Sequence, residues 1–98
     1  MIKDFGNKIA FDLFHQGKAR KLPFELWQRA IHLLDIMDAV TSLDELQKNG
    51  FPPSLRLHKL KGNRKNELTI DIHKISGWRI SFKFIDSDFY DVKIEDYH

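Results

Sequence analysis

The chain predicts an α+β fold, with two to three N-terminal helices packed on a small antiparallel sheet. Three observations carry that expectation. Apolar residues recur at helical spacing in the first half and at a spacing of two from Leu68 onward. The helical half carries its own start and stop signals. The second half is cut by short polar turns at the intervals of a meander. At 98 residues, the expectation is one domain spanning 1–98.

Ile2–Phe5 is a candidate short first strand. Asn7 is a good N-cap; Ile9, Ala10, Leu13 and Phe14 follow at helical spacing, and Gly17 ends that helix. The next turn, Lys18-Ala19-Arg20-Lys21, is basic and is expected to be exposed. A second helix begins near Pro23. Its stripe is Trp27, Ala30, Ile31, Leu34 and Met37, widened by Leu26, Leu33, Ile36 and Val40. Ser42-Leu43-Asp44-Glu45 has capping-box form and opens a third helix. That helix stops at Asn49-Gly50, and Pro52-Pro53 prevents it from resuming. Three strands follow. Leu68, Ile70 and Ile72 alternate with Thr69, Asp71 and His73. Beyond Ser76-Gly77, Trp78, Ile80, Phe82 and Phe84 alternate with Arg79, Ser81 and Lys83. After the turn Asp86-Ser87-Asp88, Tyr90, Val92 and Ile94 alternate with Asp91, Lys93 and Glu95. The helices are expected to cover the apolar face, leaving Asp71, His73, Arg79, Ser81, Lys83 and Lys93 on the other.

The net charge of +2 conceals a division. Residues 54–84 hold eight basic side chains against two acidic ones, and residues 85–98 hold one Lys against five acids. A basic block beside an acidic edge suits a polyanion site with proton-transfer groups next to it. There is no Cys, which removes thiolate nucleophiles, disulfides and Cys-based metal sites. The five His show no metal-ligand spacing, so neither a metal nor another cofactor is expected. No apolar run approaches the roughly 18 residues of a membrane span, and Met1-Ile2-Lys3-Asp4-Phe5 lacks a signal-peptide core. A cytoplasmic protein is expected.

His58 stands among Arg56, Lys59, Lys61, Arg64 and Lys65. A lone His is usually structural, but an imidazole titrates near neutrality, and cations around it both hold a phosphate and stabilise its transition state. Arg79 offers a planar fork to a phosphate. Asp96, Tyr97 and His98 close the chain with a carboxylate, a phenol and an imidazole. Together these groups suit binding a phosphodiester and moving protons on it.

The run Leu55-Arg56-Leu57-His58-Lys59-Leu60-Lys61-Gly62-Asn63-Arg64-Lys65, the strand Trp78-Arg79-Ile80-Ser81-Phe82-Lys83-Phe84 and the ending Glu95-Asp96-Tyr97-His98 resemble the HigB-type toxins, a branch of the RelE superfamily of bacterial type II toxin–antitoxin systems. Met1-Ile2-Lys3-Asp4-Phe5 and Phe14-His15-Gln16-Gly17 resemble it too. The resemblance implies a RelE-like, microbial-ribonuclease-type fold and a ribosome-dependent endoribonuclease that cuts mRNA in the decoding site. It implies a cognate helix-turn-helix antitoxin, and a toxin–antitoxin complex that binds operator DNA through that antitoxin. Carried over by motif, His58 is the upstream catalytic histidine. Lys61 and Arg79 are phosphate-contacting cations, and Asp96, Tyr97 and His98 form a C-terminal catalytic cluster; Arg64, in the same basic run as Lys61, is expected to bind RNA phosphate too. Gly77 stands where many relatives have Asn before Trp-Arg, so a polar group is missing there. Glu67-Leu68-Thr69-Ile70 stands where relatives often place Trp before a Ser-Ile pair, a change in packing rather than chemistry.

The implied reaction needs no metal. The RNA 2′-OH attacks the adjacent phosphorus and the 5′-oxygen leaves. Asp96 or His58 would act as base, His98 or His58 as acid, Lys61 and Arg79 as charge stabilisers, and Tyr97 would position a base or phosphate. The rival expectation is a non-catalytic RNA- or ribosome-binding module that uses the same basic segment and is sensitive to salt.

Overall fold

Asn7 starts the first helix with its own side chain: its Oδ1 accepts from the Ala10 amide at 3.1 Å. The computed structural model in which this is seen describes residues 1–50, 57–60, 62–73 and 75–96. Helix α1 runs Lys8–Gln16 and ends at Gly17, whose φ of 75° is the left-handed stop the sequence predicts. Pro23 opens a 3-10 turn, Phe24–Leu26, before α2 begins at Trp27 and runs to Ala39. The tightening to 3-10 form at a helix start moves the α-helical onset past the position expected from Pro23. Helix α3 spans Leu43–Gly50. Ser42 Oγ accepts from the Glu45 amide at 3.1 Å, while the Glu45 carboxylate takes the Thr41 hydroxyl at 2.9 Å. The Pro52-Pro53 stop lies outside the described residues. Among the described residues no helix is long and apolar enough to cross a membrane.

The sheet has four antiparallel strands in sequence order: β1 (His58–Lys59), β2 (Leu68–Asp71), β3 (Trp78–Ile85) and β4 (Asp88–Asp96). The fold is therefore α+β, with a fourth strand where three are expected. A two-residue strand is too short to show a period, so β1 is found only through its pairing with β2. The Asp86-Ser87 turn has positive φ at both residues, 49° and 72°, between the paired Ile85 and Asp88. That is the hairpin form whose twist matches the strands. Ile2–Phe5 is no continuous strand. Ile2 and Phe5 make isolated parallel bridges to Phe89 and Val92, and amides of Lys3 and Gly6 donate to β4 carbonyls at 2.8 Å. His73 lies beyond the end of β2, where its Nδ1 accepts from the Ser76 amide at 3.2 Å.

One departure rearranges β4. Between the pairs Ser81–Lys93 and Lys83–Tyr90 the strand carries one residue too many. The extra residue is Asp91, with φ 54°; Asp is among the few side chains that tolerate this region. Its amide is taken by Asp4 Oδ1. The bulge reverses the alternation, so Phe89 rather than Tyr90 is the fully buried aromatic of this strand. Phe89 meets Phe82 and Phe84 edge-on at 5.2 and 5.0 Å. Ile70, Ile80, Phe82, Val92 and Ile94 complete the sheet's apolar face, packed with Leu13, Leu33, Leu34 and Met37 of the helices.

Gly6 marks where the N-terminal segment presses closest on β4. A β-carbon there would overlap Asp91 Oδ1 and lie 2.6 Å from Lys93 Cγ. Gly6→Ala therefore displaces the bulge and is expected to destabilise the fold by about 1–3 kcal/mol. Urea denaturation checks this, and an unchanged midpoint would show that the bulge yields freely.

Candidate active site

In antiparallel pairs, residues directly opposite each other project from the same face. His58 pairs with Thr69, Thr69 with Ser81, and Ser81 with Lys93. The next row is Asp71, Arg79 and Glu95. His58 therefore shares a face with Arg79, two strand spacings across and two residues along, roughly 12 Å between Cα atoms from ideal sheet dimensions. Long Arg and His side chains can span part of that interval. Asp96 pairs with Trp78 and is exposed at the end of β4. By alternation it leaves the strand on the side opposite to Glu95, at the rim of the sheet. Lys61, Tyr97 and His98 lie outside the described residues.

This polar face is not the solvated surface that alternation suggests. Thr69, Arg79 and Ser81 are all buried. The segment between β1 and β2 reaches over them with Arg64, which closes a 3-10 turn at Gly62–Arg64. Arg64 Nε and Nη2 donate to the Glu67 carboxylate at 2.8 and 2.9 Å. Nη2 also lies 3.0 Å from Ser81 Oγ and 2.7 Å from Glu95 Oε1. Glu95 Oε1 accepts from Ser81 Oγ at 2.9 Å and lies 3.5 Å from Arg79 Nε. Lys93 Nζ joins Glu67 at 3.1 Å and Asp91 at 3.3 Å. Three cations and three carboxylates thus fill the face as one connected network.

The electrostatics follow from those contacts. The hydrogen bond from Arg64, backed by Lys93, outweighs burial and holds the Glu67 carboxyl at about 2, against an ordinary 4.5. The Glu67 and Glu95 carboxylates push the Arg64 guanidinium further up. Burial works against the charge on Glu95, yet hydrogen bonds from Arg64 and Ser81 prevail and lower its pKa. Burial likewise opposes the Lys93 charge, and Glu67 and Asp91 more than offset it.

Of the basic groups singled out in the sequence, Arg79 stands beside Glu95 on the sheet, whereas Arg64 is committed to Glu67, Ser81 and Glu95. Glu67 and Glu95 are the organising groups that sequence analysis does not single out. One signal pointed to Glu95: it falls on the polar parity of the last strand. Glu67 reads as an ordinary charged residue before a strand, yet its side chain is only 8% exposed.

Glu67 gives a pH test of this arrangement. A carboxyl whose folded pKa is depressed stabilises the fold above its unfolded value and loses that contribution as pH falls toward the folded one. Stability is therefore expected to decline between pH 4.5 and 2. In Glu67→Gln that decline should shrink by on the order of 2 kcal/mol. Parallel denaturant titrations across this range check it; identical pH slopes in the two proteins would contradict it.

Two similarities to known proteins accompany this geometry. Residues 3–98 match the family model of the HigB-like toxins, described as the RelE-like toxin of the type II toxin–antitoxin system HigB. The chain is 35% identical over 98 residues to the Endoribonuclease HigB of Proteus vulgaris, an alignment that covers all of both chains.

Proposed function

The chain belongs to the HigB-like toxins of type II toxin–antitoxin systems, and from that membership we propose an endoribonuclease that cuts mRNA on the ribosome and so arrests translation. The family implies a cognate antitoxin as partner. A helix-turn-helix antitoxin that carries the complex to operator DNA, a cytoplasmic setting and a single toxin domain over 1–98 belong to the same proposal.

The observation that carries it is the shared face of His58 and Arg79, braced by Glu95. The scissile phosphate lies between them. The RNA 2′-OH loses its proton and attacks phosphorus, and the bond to the 5′-oxygen breaks. A 2′,3′-cyclic phosphate and a 5′-hydroxyl result once the leaving oxygen gains a proton. Arg79, with Lys61, stabilises the charge that develops on the phosphoryl oxygens. His58 and His98 share the base and acid steps with Asp96, which leaves β4 on the other side from Glu95 and joins them only from the rim of the sheet, and Tyr97 positions a base or phosphate. Arg64 takes a different part from the phosphate contact expected of it. Tied to Glu67 and Glu95, it acts as a positioning residue that holds Glu95 against Arg79. The ribosome supplies the reactive shape of the strand, since orientation alone can be worth several kcal/mol.

His58→Ala should lower cleavage by about 10²–10⁴-fold with the far-UV circular dichroism of the parent. The parent should cut ribosome-bound mRNA well and free RNA poorly, as read by primer extension. Undiminished cutting by the variant would remove His58 from the mechanism, and equal cutting of both substrates would remove the ribosome. A non-catalytic binder would cut neither.

A further inference from the structure

Asn7 does more than cap α1. Its Nδ2 donates to the Ile94 carbonyl at 2.9 Å and its Oδ1 accepts from the Ile94 amide at 3.3 Å. These bonds fix the start of α1 against β4 two residues before Asp96, about 7 Å along the strand. Beside this junction lies a groove of about 750 Å³ between the first turn of α1 and the 19–21 turn. Lys8, Arg20 and Lys21 line it, with Asp12 as the one acidic group among its described lining residues.

The turn that carries two of these cations is held from below. Ala19 and Leu22 are buried, the Leu22 amide donates to the Ala19 carbonyl at 3.2 Å, and Trp27 Nε1 donates to the Leu22 carbonyl at 2.8 Å. Arg20 and Lys21 are exposed on this anchored turn. Lys8 meets Asp12 at 3.3 Å, but its side chain is 85% exposed, and such a surface pair holds a charge only weakly. Three residues beyond Lys21, Phe24 is 73% exposed and leans edge-on against Trp27 at 4.9 Å. The groove offers three cations, and Phe24, outside its described lining but three residues on from Lys21, offers a supported, open ring; charges that follow phosphates and a ring that stacks on a base are the two elements of single-strand binding.

We propose that this groove is a second RNA site, in which Lys8, Arg20 and Lys21 take phosphates of a single strand and Phe24 stacks on one of its bases. The inference rests on RNA being the substrate and adds a second surface that holds it. It concerns binding alone, so it can be tested without cleavage.

The probe is a nine-nucleotide 2′-O-methyl RNA, which lacks the attacking hydroxyl and stays intact. Its affinity is followed by fluorescence anisotropy across a salt series. The Lys8→Ala, Arg20→Ala, Lys21→Ala triple variant should lose affinity and flatten the log–log salt slope by about 2, at roughly 0.7 per phosphate contact on a single strand. Arg20→Gln with Lys21→Gln should flatten it by about 1.4 by the same count, and serves if the triple variant misfolds. Phe24→Ala should weaken binding about tenfold without changing the slope. An unaltered slope overturns the proposal, as does a parent with no salt-dependent binding. So does a loss confined to a duplex RNA probe, which would assign the groove to helical RNA. Primer extension on ribosome-bound mRNA separates this outcome from that of the nuclease: a flattened slope without any cleavage leaves the groove standing and the endonuclease refuted, and cleavage with an unaltered slope does the reverse.

Discussion

Glu95 reaches Arg64 at 2.7 Å, Ser81 at 2.9 Å and Arg79 at 3.5 Å with a single oxygen. Its neighbour in the network, Glu67, holds Arg64 from the other side and Lys93 at 3.1 Å. Glu67 and Arg79 are the enclosed members of this network, and withdrawing a partner from either leaves a buried charge less compensated. Each member of the network is therefore fixed by the rest. A strand arginine that would otherwise sweep through solvent is held against the sheet. Fixed charge of this kind stabilises a transition state without reorganising during the reaction.

The remainder of the fold serves that arrangement. The apolar face binds the sheet to the helices and frees the other face for charge. The two residues of β1 are enough to set His58 in register with Thr69, Ser81 and Lys93. The bulge at Asp91 turns that carboxylate toward Lys93 while returning Phe89 to the core. The N-terminal segment closes the outer edge of β4 through its bridges from Ile2 and Phe5, leaving less open edge for another chain to pair with.

Much of this was legible in the sequence, and the parts that were not share a cause. Asn7, Gly17 and Ser42 act within a few residues of themselves, so their capping roles can be read directly. The strands of Leu68 and Trp78 show their period because both faces are sampled regularly. The Asp91 bulge hides from the same test, because an aspartate in a left-handed conformation looks like any polar residue in an alternating run. Phe89 and Tyr90 exchange faces for that reason. His58, Arg79 and Asp96 stand out by residue type and by resemblance to a family. Glu67 and Glu95 do not, since their importance comes from contacts between segments as far apart in sequence as Arg64 and Glu95. A sequence shows that a charge is present, and only the fold shows which charges neutralise each other.

The central claim is that Glu95 acts on the reaction through Arg79. A double-mutant cycle on the rate of ribosome-bound mRNA cleavage tests it, using Glu95→Gln, Arg79→Ala and the pair, with thermal unfolding as a control. Glu95→Gln should slow the parent but change little once Arg79 is gone, so the two losses should be strongly non-additive. Full additivity of the two losses, with all variants folded, would contradict the account.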